Sequence, residues 1–154
     1  MGLLEDAEQL HPALATRIAA IRDAIEANFE KRYSLSIPAL FHQIEGFHRD
    51  YGGLASKQNF APTLRKENWD ERFLPSFTDS ITFFNGYLTD LFKGSQPDDT
   101  FNRNPILHGM NANYASEDWS LTLILIILEI RHFLWFERNT SPIIGQLLKD
   151  SSKK

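Results

Sequence analysis

Apolar residues recur every three or four positions along most of this chain, and no stretch alternates with the two-residue period of a strand. Leu10, Leu14, Ile18, Ile21, Ile25, Phe29 and Tyr33 form one stripe, which predicts a helix over 11–32 with Pro12 in its first turn. After a break at Ser34-Leu35-Ser36, a second helix is expected with Ser36 as N-cap and Pro38 in its first turn. Its stripe is Ile37, Leu40, Phe41, Ile44, Phe47 and Tyr51, and Gly52-Gly53 closes it. Residues 54–68 hold no sustained period and read as a long connection. Phe73, Phe77, Ile81, Phe84, Leu88 and Leu91 predict a third helix over 69–92, stopped by Gly94-Ser95-Gln96-Pro97. Ser116, Glu117 and Asp118 open a last helix whose 121–136 section is apolar nearly all round, the pattern of a helix with neighbours on several sides. The tail over 141–154 carries only a weak stripe. The expectation is an all-α protein: an up-and-down helical bundle of four main helices plus short extra helices, with the last main helix at its centre.

A chain of 154 residues suits a single domain spanning 1–154, either alone or as the C-terminal part of a longer protein. It has no cysteine, which removes disulfides and thiolate metal sites and agrees with a reducing cytoplasm. The first residues lack the basic stretch of a secretory signal, and Asp6 stands where a myristoylation motif requires Ser or Thr. The apolar run 121–128 is interrupted by Glu129, Arg131 and His132 well before about 20 residues, so a core helix is expected rather than a membrane span. These features predict a cytoplasmic protein without a membrane partner. The net charge of −4 argues against a general nucleic-acid binder, which is rewarded for a basic face. It leaves room for a local positive focus, for which Arg65 and Lys66 are candidates, diluted by Glu67, Asp70 and Glu71.

The chemistry concentrates in Arg103-Asn104-Pro105-Ile106-Leu107-His108-Gly109. Arg keeps its charge and offers a planar fork that matches phosphate, whereas His titrates near neutrality and can move a proton. Because Asn104 precedes proline, it is expected to cap a short helix beginning at Pro105, with His108 four residues on along the same side. Arg103, Asn104, His108 and the backbone donors would then face one volume, as in an anion site at a helix start. Such a volume fits RNA cleavage through the ribose 2′-hydroxyl, which needs a base, a cation for the crowded phosphorane and an acid for the leaving oxygen. His108 is the candidate base or acid, Arg103 the stabiliser, and Asn104 the orienting group; no cofactor or metal is called for.

The spacing of Arg, a polar residue, three further residues and His resembles the signature of the HEPN superfamily. Ser36-Ile37-Pro38, Gln43-Ile44-Glu45-Gly46, Asn102-Arg103-Asn104, Leu107-His108-Gly109 and Tyr114 are similar to a group of uncharacterised bacterial proteins associated with it. The likeness runs over about 37–136. It implies a four-helix domain with the motif between the third and fourth helices, and a metal-independent ribonuclease of toxin–antitoxin or phage-defence systems. It further implies a homodimer with two motifs facing a shared cleft, and an antitoxin or other partner protein. Other members of the superfamily are inactive and bind nucleotides, RNA or a partner protein. A non-catalytic helical module is therefore the rival reading.

Further side chains have alternative roles. His42, Glu45, His48 and Arg49 are expected along one polar edge of the second helix, but His42 and His48 stand about 240° apart around it, unlike the i,i+4 pair of zinc-binding helices. Glu45 is read as a half-buried partner for an arginine, with Arg103 as the candidate that would support the site. Glu129 and Arg131 read as a structural pair. Trp69 is the candidate for stacking a nucleobase.

Overall fold

The computed structural model describes residues 4–54, 64, 75–94, 97, 100–139, 142, 143 and 146. Among these the chain is all-helical, without a strand, in seven helices: α1 (Ala7–Leu10), α2 (Pro12–Ala15), α3 (Ile18–Phe29), α4 (Tyr33–Gly52), α5 (Pro75–Phe92), α6 (Arg103–Leu107) and α7 (Glu117–Asn139). Arg65, Lys66 and Trp69, and the first part of the expected third helix, lie outside the described residues.

The first long stripe folds as expected in its packing but not in its hydrogen bonding. Leu14, Ile18 and Ile21 are all buried along one face. The backbone ladder tightens at its middle, where the Arg17 N–H bonds the Leu14 carbonyl, and this divides α2 from α3. His11 is extended because Pro12 follows it, and its Nδ1 accepts from the Ala13 N–H at 3.1 Å, capping α2. The short α1 precedes this cap and was not legible as a stripe. It is fastened by Asp6, whose carboxylate accepts two bonds from Arg131 of α7. Arg131 therefore pairs with the N-terminal segment and not with Glu129, which is exposed.

The turn between α3 and α4 comes earlier than the break expected at Ser34. Lys31 takes a left-handed conformation (φ 59°), and α4 begins at Tyr33. Two expectations change with it. Ser36 is no cap but fully buried, its Oγ 2.8 Å from Ser120 Oγ of α7. Pro38 lies inside the helix, where it has no N–H to offer the Ser34 carbonyl. The Tyr114 hydroxyl donates to that carbonyl at 3.1 Å, so a side chain from the segment after α6 supplies the donor that proline lacks.

The central helix is α4, not α7. It packs against α2, α3, α6 and α7, and buries Ile37, Leu40, Phe41, Ile44 and Phe47 completely. It runs antiparallel to α3, since Arg17 reaches Asp50, and parallel to α7, since Ser36 meets Ser120 and Tyr51 meets Glu137. On α7 one face packs through Leu123, Ile126, Ile127, Ile130, Phe133 and Leu134, while Leu121, Leu125 and Trp135 stay exposed. Its apolar girth comes from an open second face rather than from neighbours all round. Among the described residues α7 is the one helix long and apolar enough to cross a membrane. Gly46 permits the Arg17 guanidinium to lie across α4: a Cβ there would stand 2.2 Å from Arg17 Nη1. Arg17 bonds Gln43 and Asp50 on either side of that glycine.

His48 faces the core, off the polar edge where it was expected, and is 2% exposed. Burial penalises its charged form and lowers its pKa from 6.5 to about 3. The unfolded chain therefore takes up a proton at this residue below about pH 6.5 while the folded one does not. Stability from His48 is complete above pH 6.5 and is lost as the pH falls toward 3. Urea unfolding of the wild type should lose up to about 1.4 kcal/mol per pH unit from this group between pH 6 and 4.5. His48→Phe should show a shallower slope over the same range.

The proline repair yields a second expectation. Tyr114→Phe should cost about 0.5–1.5 kcal/mol in the wild type and close to nothing in a Pro38→Ala background, where residue 38 regains its N–H. Denaturant unfolding of the four proteins measures this coupling.

Candidate functional site

The motif segment is held at both ends by buried asparagines. Asn102, 1% exposed, caps α6: its Oδ1 accepts from the Asn104 N–H at 3.0 Å, and its Nδ2 donates to the Asp90 carbonyl near the end of α5 at 2.8 Å. The cap is therefore Asn102 and not Asn104. Residue 102 is free to be extended (φ −146°, ψ 149°), whereas Asn104 is already inside the first turn. Pro105 is tolerated one position further on because the first N–H groups of any helix lack an intrahelical acceptor. After α6, Gly109 takes φ +73°, and the Met110 and Asn111 N–H groups both return to the Pro105 carbonyl. Asn111 Nδ2 then reaches the Thr100 carbonyl at 3.4 Å, closing the loop on itself.

Asn102 takes the Asn104 N–H and Pro105 has none, so of the first three positions of α6 Arg103 alone keeps a backbone N–H for an anion. Arg103 and His108 stand at opposite ends of a five-residue helix. What links them is Asn104. Arg103 Nη1 donates to Asn104 Oδ1 at 2.8 Å, which draws the guanidinium toward the face of Asn104. His108, the C-cap, follows Asn104 by four residues on that face, about 6 Å along the axis. Its side chain is exposed, and among the described residues no hydrogen bond orients the imidazole. Asn104 itself fits closely against Gly94, where a Cβ would lie 3.1 Å from its Nδ2.

Arg103 is anchored from below by α4. Its Nη2 lies 2.7 Å from Glu45 Oε2, while Arg49 Nε donates to Glu45 Oε1 at 3.0 Å. The pairing of Glu45 with Arg103 is the one its sequence position suggested, and Arg49, expected only as part of a polar edge, joins it. Glu45 is 13% exposed and the two arginines about twice that, so one carboxylate at the core boundary serves two guanidiniums. Two guanidiniums thus meet at one carboxylate on a chain of net charge −4. Arg103 Nε is buried without a hydrogen-bond partner among the described residues, so Glu45 satisfies only part of its fork.

An aromatic surface adjoins the cluster. Phe101 packs on Phe41 of α4 (centroids 5.4 Å apart) and stacks on Trp119 of α7 (4.0 Å, 8°). The Trp119 N–H bonds Ser116 Oγ, which caps α7 as expected. Sequence reasoning missed Asn102, Asn111 and Trp119. An Asx turn two residues before Asn104 was the signal available for the first, but nothing local marks the stack.

His42 is exposed on α4, and His132 lies 3.9 Å from Glu129 on the far helix. Among the described residues no group of three or more His, Asp or Glu side chains converges as a metal site would require. Compared with protein-family models, curated proteins and solved structures, the chain matches none.

Removing the shared carboxylate sets two guanidiniums against each other. Glu45→Gln should cost about 1–2 kcal/mol, the value of a charge-assisted pair discounted for the partial exposure of both arginines. Glu45→Gln combined with Arg49→Gln should recover part of that loss in denaturant unfolding, because one of the two neighbouring guanidiniums is gone.

Proposed function

We propose that this protein is a metal-independent endoribonuclease of the HEPN type, acting in the cytoplasm in a toxin–antitoxin or phage-defence setting. The carrying observation is the Glu45–Arg49–Arg103 cluster, bridged through Asn104 to the helix face that ends in exposed His108. Arg103 binds the scissile phosphate and stabilises charge on the phosphorane. His108 removes the proton from the ribose 2′-hydroxyl, whose oxygen attacks the adjacent phosphorus. The 5′-oxygen departs and takes a proton, leaving a 2′,3′-cyclic phosphate and a 5′-hydroxyl. Asn104 keeps the guanidinium aligned between the two. The all-helical fold, with the motif between α5 and α7, agrees with a HEPN-like bundle of four main helices, α3, α4, α5 and α7.

One motif supplies one imidazole, and the reaction uses a base and an acid. A two-fold homodimer provides the second His108, since an isologous contact brings the same patch from both subunits together. Exposed Met110 beside the motif and exposed Leu121 and Leu125 on α7 offer apolar surface for that contact.

One observation favours the rival reading, an inactive helical module that binds nucleotides, RNA or a partner protein. The His108 side chain is exposed with no hydrogen bond among the described residues, and Glu45 already occupies part of the Arg103 fork. Cleavage assays on structured and unstructured RNA in EDTA separate the two readings. The proposal expects cleavage by wild type, at least 100-fold loss in His108→Ala and Arg103→Ala with unchanged circular dichroism, and a dimer by sedimentation. RNA binding without cleavage, by a monomer, supports the binding module.

A further inference from the structure

The stack of Phe101 and Trp119 has no evident structural need for a tryptophan. Its inner partner, Phe101, is already packed on the core through Phe41 and Phe92's neighbourhood, since Phe41 also meets Phe92 edge-on at 5.6 Å. Trp119 lies flat over Phe101, so one indole face is covered, yet the residue remains 40% exposed. A large aromatic stacked by one face and still 40% exposed is the form of a platform for a second flat ring.

Its place relative to the arginine cluster follows from α4. Phe41 holds Phe101 and Glu45 holds Arg103, so the two contacts fall one helical turn apart on the same face of one rigid helix, about 6 Å along its axis. In the chain, Phe101 and Arg103 are separated only by Asn102, which is buried and bonded at both ends of its amide. Ring and guanidinium are thus fixed in relation to each other by backbone and by α4. Trp119 stands a further 4.0 Å out on Phe101, centroid to centroid, and is tied to the guanidinium through that ring.

We infer that Trp119 is a base-stacking residue: it receives one nucleobase of single-stranded RNA on the face turned away from Phe101 and so positions a phosphate of the same strand at Arg103. The inference rests on the reading of the motif as an RNA site. It assigns Trp119 a positioning role, since the indole touches the base and not the reacting atoms. Stacking tolerates any base, so the platform contributes affinity without selecting sequence.

The test is equilibrium binding of a 3′-fluorescein-labelled, single-stranded ten-nucleotide RNA to the full chain carrying His108→Ala, which silences cleavage. Trp119→Leu keeps apolar cover over Phe101 but removes the π face, and Trp119→Tyr restores one. Trp119→Leu is expected to weaken binding about tenfold, Trp119→Tyr to recover most of it, and Arg103→Ala to weaken it independently. In wild-type cleavage the same Trp119→Leu change should raise KM with kcat within about twofold. Loss of binding in Arg103→Ala with none in Trp119→Leu overturns the stacking role and leaves the RNA site standing. Equal losses in Trp119→Leu and Trp119→Tyr overturn it as well, since packing and not the ring face would then be at work. Absence of RNA binding in the Trp119-intact protein overturns the site and the platform together.

Discussion

One carboxylate joins the motif helix to the core of this protein. Glu45 sits where the apolar stripe of α4 meets water, and from there it holds Arg49 of its own helix and Arg103 of α6. A boundary position is what makes this possible. Deeper in the core, two guanidiniums and one carboxylate would pay a desolvation cost that their attraction does not recover, and fully in water the pairs would contribute little. Because α4 is also the helix that α2, α3, α6 and α7 pack against, the motif is referred to the most rigid part of the fold.

The loop that carries the motif is tied by polar groups rather than by apolar area. Asn102 joins α6 to the end of α5, Asn111 closes the loop onto Thr100, and Tyr114 compensates for the donor missing at Pro38. Each of these bonds ends on a backbone carbonyl of another segment or of the loop itself. The motif therefore has a defined conformation without being part of a long helix. His108 stays at the surface, at the end of a single ordered turn, where a substrate or a second subunit can reach it.

Much of this was legible in the chain, and the omissions share a cause. The stripes of α3, α4, α5 and α7 appear at their expected places because three- and four-residue spacing is a local property. Ser36 and Pro38 misled because Ser-x-Pro resembles a helix start; their actual roles depend on Ser120 and Tyr114, more than 70 residues away. His48 looked polar by type and by neighbours, yet its direction was set by the packing of α4. The girth of α7 suggested a central position, whereas Leu121, Leu125 and Trp135 face outward. At the site, Glu45 as an arginine partner could be anticipated from a carboxylate between Ile44 and Phe47. The shared use of that carboxylate by Arg49, and the stack of Phe101 on Trp119, arise only when α4, α6 and α7 come together.

The most direct measurement concerns the hydroxyl on which the proposed chemistry turns. A single-stranded RNA found to be cleaved in EDTA would be resynthesised with one 2′-deoxyribose at the cleaved position, and the product ends of the unmodified strand analysed by mass. The account predicts that cleavage vanishes at the modified position alone, and that the unmodified products carry a 2′,3′-cyclic phosphate and a 5′-hydroxyl. Continued cleavage at the deoxy position, or product ends bearing a 5′-phosphate, would contradict it.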